Sequence, residues 1–339
     1  MPDRLALPGF VNTHSHAFQR AMRGQVEGGD FWAWRDAMID HARGLTPDTV
    51  RRDYAETYRE MRAAGYTAVG EFHYVGLVEA GAAIEAAREA GIELVLLLAA
   101  YARGGLDRFR QESMGAYLEQ VEALRAAGAR VGTAPHSVRA CPADWLEEIG
   151  RHADREGLVL HVHADEQPRE IEECLAEHGV RPIELLARTG CLGPRTTIVH
   201  ATHADEHELD LLAESGARVC LCPTTEANLG DGFPPLQGLL DRGIPLCIGS
   251  DSNVRIDPLE ELRELEGTAR RQTLRRNVIA PERLLEIGSA GGAAAIGIDE
   301  WPPVEVDLAH VSLRGIAAAD APAALVHGCA ADVLSPVAG

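Results

Sequence analysis

Lysine is missing from this chain of 339 residues. All 32 residues in the combined lysine and arginine count are arginine. The absence excludes an enzyme that forms a Schiff base through lysine, a phosphate-binding loop that relies on lysine, and a carboxylated lysine that bridges two metal ions. Whatever chemistry this chain carries out proceeds without these three groups.

Cysteine pairs with the spacing of a structural zinc site are missing as well. The seven cysteines are scattered, odd in number and mostly within apolar segments, and no Cys-x-x-Cys motif occurs. Cys220 and Cys222 share one face of a predicted strand. We therefore expect reduced thiols in the core of a cytoplasmic protein rather than a disulfide framework or a cysteine-held zinc.

The chain also has no apolar run long enough to span a bilayer, and we recognise no signal peptide. Its formal net charge of −20 predicts a surface that repels nucleic acid and anionic membranes, so we expect neither as a partner. The composition is 46% hydrophobic, which is enough for a large core. The length suits one large α/β domain or two smaller domains.

Eight apolar strands alternate with helical segments over most of the chain. The predicted strands span residues 8–16, 66–73, 92–101, 130–136, 158–164, 196–201, 217–222 and 244–250. They are apolar on both faces, as expected for a parallel sheet that helices cover. The alternation predicts a (β/α)8 barrel of the TIM type. A doubly wound open sheet is the alternative, but no glycine-rich phosphate turn follows the first strand.

The segments outside the strand–helix repeats are less clearly patterned. Residues 17–43 are predicted to form a long polar loop with an aromatic cluster at Phe31, Trp32 and Trp34. Residues 307–313 are predicted to form a strand outside the barrel. We expect residues 1–300 to form the barrel and residues 301–339 to be the remnant of a small β-rich domain.

Histidines and carboxylates collect where the predicted strands end. His14 and His16 point to the same side because side chains alternate along a strand. The other strand ends carry polar candidates: Glu71, His73, Tyr74, His136, Arg139, His161, His163, Glu166, His200, His203 and Asp251. Barrel enzymes place their active sites at this end of the strands. The sequence therefore predicts an active site built on histidine and carboxylate.

Four of these residues suit a mononuclear zinc site that leaves one position open for water: His14, His16, His163 and Asp251. Such a metal lowers the pKa of bound water to near neutrality. Glu166 follows His163 by three residues, which suits a general acid/base above the metal. His200 suits the stabilisation of a tetrahedral centre. His161 is expected one layer deeper, as a hydrogen-bonded core residue, and Glu71 as an indirect support of the ligands.

Several motifs together resemble the amidohydrolase superfamily. They are Pro-Gly-Phe-Val-Asn-Thr-His-Ser-His at 8–16, His-Val-His at 161–163, Val-His-Ala at 199–201 and Gly-Ser-Asp-Ser at 249–252. Finer motifs are similar to the formimidoylglutamate deiminases within it: residues 14–22, 31–35, 71–75, 136–139 and Thr-Glu-Ala-Asn-Leu-Gly-Asp-Gly at 225–232. The resemblance runs from about Leu7 to Val278.

The resemblance implies zinc-dependent hydrolysis of N-formimino-L-glutamate to N-formyl-L-glutamate and ammonia, a step of histidine degradation. It implies one zinc per chain, with Fe²⁺ as the alternative, held by the four residues named above. It implies catalytic roles for Glu166 and His200, and we expect Asp251 or Glu166 to accept the proton of the attacking water. The substrate-binding residues that it implies are Gln19, Arg35, Tyr74, His136 and Arg139. Arginines suit a dicarboxylate substrate because guanidinium binds carboxylate in a fork geometry. The small β-sandwich that usual family members carry is largely missing here.

Two other functions stay open at this point. A related amidohydrolase could deaminate a purine, pterin or triazine-like ring, and such a substrate would not require Arg35 and Arg139. A scaffold protein that binds metal without catalysis is the second alternative, against which the intact set of ligands and acid/base groups argues. We expect a cytoplasmic enzyme with a small-molecule substrate. A homodimer is the candidate assembly, and the sequence does not determine the oligomeric state.

Overall fold

The computed structural model describes residues 4–337. The strands of this part of the chain are, in order, β1 (Arg4–Pro8), β2 (Phe10–Ser15), β3 (Tyr66–His73), β4 (Glu93–Ala100), β5 (Val131–Pro135), β6 (Leu160–Ala164), β7 (Thr196–His200), β8 (Arg218–Leu221), β9 (Leu246–Ile248), β10 (Pro303–Asp307) and β11 (Leu334–Pro336). Strands β2 to β9 form one parallel sheet in chain order, each paired with the next. The predicted (β/α)8 barrel is confirmed, and its strands end within two residues of the predicted bounds.

Helices follow the barrel strands and cover the outside of the sheet. They are α1 (Phe31–Arg43), α2 (Pro47–Ala63), α3 (Leu77–Ala90), α4 (Met114–Ala126), α5 (Ala143–Glu156), α6 (Pro168–His178), α7 (Pro182–Arg188), α8 (Glu206–Ser215), α9 (Pro223–Leu229), α10 (Leu236–Asp241), α11 (Pro258–Thr273), α12 (Pro281–Glu286), α13 (Gly292–Ile296) and α14 (Ala321–Gly328). Within residues 4–337, none of these helices is long and apolar enough to cross a membrane.

Local chemistry sets where these helices begin and end. Helix α2 begins after Thr46, whose side chain accepts the backbone N–H of Thr49, and Pro47 occupies the first turn. Helix α8 begins with a reciprocal pair between Asp205 and Glu208. These caps pair backbone N–H groups that a helix leaves unpaired at its start. They therefore fix the residue at which each of the two helices begins.

The barrel closes between its first and last strands through two backbone hydrogen bonds. The amide of His16 donates to the carbonyl of Asp251 at 2.8 Å, and the amide of Asp251 donates to the carbonyl of His14 at 3.0 Å. Asp251 has a φ of 44°, a left-handed conformation that non-glycine residues seldom adopt. The closure therefore brings the side chains of residues 14, 16 and 251 to one end of the barrel.

The segment 17–43 is not a loop, and this prediction was wrong. It contains a short 3₁₀ helix at Ala17–Met22 and the helix α1. Asp30 caps α1 by accepting the backbone N–H of Ala33. The buried residues Phe31, Met38 and Ala42 lie on one face of α1 at helical spacing. Charged residues stand between these apolar positions, so the sequence alone did not indicate an amphipathic helix.

A second, antiparallel sheet joins the two ends of the described chain. Its strand order is β1-β10-β11, with Arg4 opposite Asp307 and Pro8 opposite Pro303. The strand predicted at residues 307–313 instead ends at Asp307, because the Asp307 side chain accepts the backbone N–H of Ala309 and starts a turn. The division of the chain at residue 300 stays a prediction.

Candidate active site

Four buried side chains converge at the carboxyl end of the barrel. His14 lies on β2 and His16 just after it, His163 lies on β6, and Asp251 follows β9. Each offers a ligand atom, and these atoms all lie within 4.8 Å of one another. His14 Nε2 is 3.1 Å from His16 Nε2 and 3.0 Å from His163 Nε2. Asp251 Oδ1 is 3.3 Å from His14 Nε2 and 3.2 Å from His16 Nε2.

The spacing of this group fits one metal ion with a further position open for water. Zinc bonds to nitrogen and oxygen are about 2.1 Å long, so neighbouring ligands of a five-coordinate zinc would lie about 3.0–3.6 Å apart. The distances above, 3.0 to 3.3 Å, fall within that range. His16 Nδ1 pairs with the carbonyl of Phe72 at 3.0 Å and His163 Nδ1 with that of His136 at 2.8 Å. Both rings thus direct the Nε2 lone pair into the group.

The electrostatics of the group keep its members in the forms that bind metal. Burial lowers the pKa of His14 to about 3. Burial and the neighbouring histidines lower the pKa of His163 well below its ordinary value. Burial would raise the pKa of Asp251, but its contacts with His14 and His16 hold it well below the ordinary range. Near neutral pH His14 and His163 therefore offer neutral imidazoles and Asp251 an ionised carboxylate, as metal binding requires.

A buried polar network holds Asp251 against β2. Asn12 Nδ2 donates to Ser250 Oγ at 2.6 Å, and Ser250 Oγ donates to Asn253 Oδ1 at 2.6 Å. Asn253 Nδ2 in turn donates to Ser15 Oγ at 3.1 Å. The network connects β2, which carries His14 and leads into His16, with the loop that carries the carboxylate of Asp251.

Gly249 lies where that loop passes closest to β2. A Cβ at Gly249 would lie 2.8 Å from the His14 carbonyl oxygen and 3.0 Å from the His14 amide nitrogen. We expect Gly249→Ala to lower the free energy of unfolding by about 1–3 kcal/mol, since packed backbone has to shift. It should also weaken metal binding, because His14 moves. Urea unfolding and metal content after dialysis measure the two effects.

Gly267 provides the matched control for Gly249. It lies within α11, and the nearest atom to an added Cβ is the end of the Arg271 side chain at 3.8 Å. Gly267→Ala should stabilise the protein by up to about 1 kcal/mol, as expected in a helix interior. Equal unfolding energies and metal contents for the two alanine variants would contradict the proposed clash at Gly249.

His200 and Glu166 lie beside the four candidate ligands His14, His16, His163 and Asp251, which we call the metal-ligand group. His200 ends β7 with a φ of 75°, and its Nε2 is 3.6 Å from Glu166 Oε1 and 3.9 Å from Asp251 Oδ2. Burial opposes protonation of His200, but the nearby Glu166 carboxylate and a hydrogen bond to Glu226 raise its pKa well above the ordinary value. The ring therefore faces both a metal-ligand residue and the predicted acid/base residue.

Glu226 is a part of this neighbourhood that the sequence argument missed. Its Oε1 lies 3.2 Å from His200 Nδ1, and the residue is 3% exposed. Glu226 belongs to α9, which was not predicted, although Pro223 at the first turn and Gly230 after the last turn are signals for a helix. The motif at residues 225–232 had marked the segment without assigning a role to any of its residues.

A cleft opens next to these groups. All five predicted substrate-binding residues line it, together with four residues of the metal and acid/base set: Gln19, Arg35, Tyr74, His136, Arg139, His16, His163, Glu166 and Asp251. Gln19 Nε2 donates to the Tyr74 hydroxyl at 2.9 Å. Helix α1 contributes Phe31, Trp34 and Met38 to the wall. The segment taken for a loop thus forms one side of the cleft.

Arg139 lies between the cleft and two carboxylates. Its Nη2 is 3.4 Å from Glu166 Oε2 and its Nε is 3.4 Å from Glu170 Oε1. Its guanidinium carbon is 5.8 Å from the centre of the Trp32 ring, and that of Arg169 is 4.5 Å from it. Both carboxylate distances are long for hydrogen bonds, so Arg139 is not held in a tight bidentate pair.

Two neighbouring polar residues face away from the metal-ligand group. His161 Nε2 pairs with the carbonyl of Ala295 at 2.9 Å, in agreement with the expected core histidine. Glu71 Oε1 accepts the backbone N–H of Ala17 at 2.8 Å, and burial raises the pKa of Glu71 to about 7. Glu71 therefore supports the chain just after His16 without being part of the group.

The Cys222 thiol offers a further ligand atom within 4.8 Å of those of His200 and Asp251. Burial raises the pKa of this thiol to about 12. A metal ligand has to be the thiolate, so Cys222 suits a metal less well than the three histidines and Asp251 do. All seven cysteines are buried and free.

Comparison with protein families and curated relatives agrees with this architecture. The amidohydrolase family profile matches residues 5–301. A formimidoylglutamate deiminase of Pseudomonas aeruginosa is 39% identical over 327 residues, which cover 86% of this chain and 72% of the relative. A 5-methylthioadenosine/S-adenosylhomocysteine deaminase of Natronomonas pharaonis is 33% identical over 309 residues, which cover 87% of this chain and 69% of the relative.

Solved structures are similar along almost the whole chain. An amidohydrolase from Brucella melitensis superposes with a TM-score of 0.86 at 31% identity, covering 97% of this chain and 84% of the other. An atrazine chlorohydrolase of Arthrobacter aurescens, crystallised with zinc, superposes with a TM-score of 0.89 at 20% identity, covering 99% and 85%. At that identity the second likeness supports the fold alone.

Proposed function

This chain belongs to the amidohydrolase family, and we propose that it hydrolyses N-formimino-L-glutamate to N-formyl-L-glutamate and ammonia. The observation that carries the proposal is a single cleft in which Arg35 and Arg139 lie beside Glu166 and the metal-ligand group. The 39% identity to a formimidoylglutamate deiminase supports the same reaction. The seven buried, free thiols fit a reducing compartment, so we propose a cytoplasmic enzyme of histidine degradation.

We propose that His14, His16, His163 and Asp251 hold one zinc ion. Three imidazole nitrogens and a carboxylate oxygen are a donor set that zinc accepts readily, and Fe²⁺ is the alternative. A bound divalent metal would supply Lewis-acid chemistry, lowering the pKa of a water ligand and polarising the formimino carbon. The remaining steps depend on side chains of this chain.

Proton movement is assigned to the two carboxylates at the mouth of the site. Water adds to the formimino carbon as its proton passes to Glu166 or Asp251. Glu166 passes this first proton to the formimino nitrogen, which completes a tetrahedral centre with one hydroxyl and one amino group. The hydroxyl proton then passes through Asp251 or Glu166 to the amino group. The carbon–nitrogen bond breaks, ammonia leaves with the electron pair of that bond, and the formyl carbon–oxygen double bond forms. His200 Nε2 lies 3.6 Å from Glu166 Oε1, where it can donate a hydrogen bond to the developing tetrahedral centre.

Substrate selection is assigned to the arginines of the cleft. The substrate carries two carboxylates, and the whole protein has a formal charge of −20, so local positive charge is needed to hold a dianion. Arg139 has only long contacts with Glu166 and Glu170, both at 3.4 Å. Its fork is therefore free to form a bidentate pair with a carboxylate of the substrate.

Arg139→Met is expected to raise KM for N-formimino-L-glutamate about 10- to 100-fold, with a smaller change in kcat. The reason is the loss of charged hydrogen bonds worth about 1.5–3 kcal/mol. Steady-state ammonia release measures both constants. Arg169→Met is the control, because Arg169 stacks on the same Trp32 ring but does not line the cleft. An unchanged KM for Arg139→Met would contradict the carboxylate assignment.

Ammonia release also separates the proposal from a ring deaminase. The 33% identity to an S-adenosylhomocysteine deaminase favours that second candidate. Zinc-loaded protein is offered N-formimino-L-glutamate, S-adenosylhomocysteine and guanine in parallel. We expect release from the formimino compound alone. Release of ammonia from a ring compound instead would show that the protein is a ring deaminase. The metal site would keep its role, and the assignment of the arginines to substrate carboxylates would be wrong.

A further inference from the structure

We propose that Glu226 is a positioning residue that orients His200 for the reaction. The inference rests on the proposed function, because His200 is taken to act on the tetrahedral centre. Glu226 does not line the cleft and reaches the chemistry only through the His200 ring. Its Oε1 lies 3.2 Å from His200 Nδ1, on the side of the ring opposite the nitrogen that faces Glu166 and Asp251.

The Glu226 carboxylate is itself held in place by its helix. Oε1 accepts the backbone N–H of Cys222 at 2.8 Å, one of the unpaired amides at the start of α9. The same helix start is anchored a second time, because Thr224 N donates to Glu261 Oε2 at 3.0 Å. Glu226 is 3% exposed and Glu261 fully buried. The helix thus presents a rigid carboxylate to the His200 ring.

This contact fixes the direction in which the His200 ring points. A carboxylate oxygen accepts hydrogen bonds, so the ring is turned with its Nδ1–H donating to Glu226. Nε2 then faces Glu166 Oε1 at 3.6 Å and Asp251 Oδ2 at 3.9 Å, too far for a direct hydrogen bond to either. The ring is therefore oriented and left with Nε2 directed at the space where the substrate reacts. A buried carboxylate orients a catalytic imidazole in the same way in serine-protease triads.

The backbone of His200 makes such a support necessary. His200 has a φ of 75° and Ala201 a φ of 51°, so two consecutive non-glycine residues are left-handed. Such conformations persist only where surrounding contacts determine them. The His200 ring also stacks near His163, with centroids 5.6 Å apart, but stacking does not set which edge of the ring faces the cleft. The hydrogen bond to Glu226 sets it.

Glu226→Leu tests the proposal because it removes the acceptor at similar volume. We expect kcat to fall about 10²- to 10³-fold while KM and metal content change little, since neither the cleft nor the ligands lose a group. Glu226→Gln should recover part of that loss, because its amide oxygen can still accept from Nδ1–H. Glu261→Gln is the control for damage to α9: it weakens the other anchor of the helix without touching His200, and it should lower thermal stability but spare kcat.

A measurement without substrate separates this inference from the proposed function. In protein labelled with ¹⁵N-histidine, His200 should show a slowly exchanging Nδ1–H signal, assigned by its absence from His200→Asn. The signal should disappear in Glu226→Leu and persist in Glu261→Gln. If the signal behaves so but the formimino compound is not hydrolysed, the proposed function fails and the positioning role stands. A wild-type His200 that carries no hydrogen on Nδ1, or equal kcat losses in Glu226→Leu and Glu261→Gln, would overturn the positioning role.

Discussion

Glu166→Gln is expected to lower kcat for N-formimino-L-glutamate about 10³-fold while the bound metal stays in place. Glutamine fills the same volume and keeps hydrogen-bonding atoms, but it cannot take a proton from water and return it to nitrogen. Glu166 is outside the metal-ligand group and 5% exposed, and it lines the cleft beside His163 and Asp251. Single-turnover and steady-state ammonia release, together with metal content, measure the two expectations.

Glu173, in the helix that follows Glu166, provides the control variant. Glu173 belongs to α6 and pairs with Arg169 at 2.8 Å on the protein surface. Glu173→Gln removes one negative charge at a similar sequence position without touching the cleft, so its kcat should equal that of the unaltered enzyme. If Glu166→Gln kept more than about a tenth of the normal kcat, a general acid/base role worth at least about 10²-fold would be excluded.

The barrel and the convergence of the four candidate metal ligands could be predicted because both depend on a simple geometric rule. Strands that are apolar on both faces and alternate with helices form a parallel barrel, and parallel strands bring all their carboxyl ends together. Residues as distant in sequence as His14, His163 and Asp251 could therefore be placed at one site. The distances from His14 Nε2 to His163 Nε2, 3.0 Å, and to Asp251 Oδ1, 3.3 Å, could only be obtained from the structure.

The role of Glu226 and the helix α1 were missed because both depend on tertiary contacts, which the hydrophobic periodicity of a sequence does not reveal. Helix α9 has seven residues, which is too short for a hydrophobic period to stand out. Its carboxylate acquires a role only because β7 ends in a left-handed histidine directed toward it. In α1 the apolar positions that line the cleft alternate with arginine, aspartate and histidine, a composition that is typical of loops. In both cases packing, rather than local propensity, decides the structure.

His163→Ala is expected to abolish both metal binding and ammonia release. The variant keeps two imidazoles and one carboxylate, and it loses the ring whose Nε2 lies 3.0 Å from that of His14. A metal that binds only the folded protein stabilises it by about 4 kcal/mol when present at 1,000 times its Kd. The melting temperature of the unaltered protein should therefore rise when zinc is added after chelation, and that of His163→Ala should not.

His161→Gln is the matched control, because His161 lies two residues earlier on the same face of β6. Its Nε2 pairs with the carbonyl of Ala295 at 2.9 Å, a bond that the amide of glutamine can replace in part. The variant should melt at a lower temperature, since a buried hydrogen bond is weakened, but it should keep its metal and show the same rise with zinc. Metal loss in His161→Gln together with metal retention in His163→Ala would reverse the two assignments and place the metal one layer deeper in the barrel, away from Glu166 and the cleft.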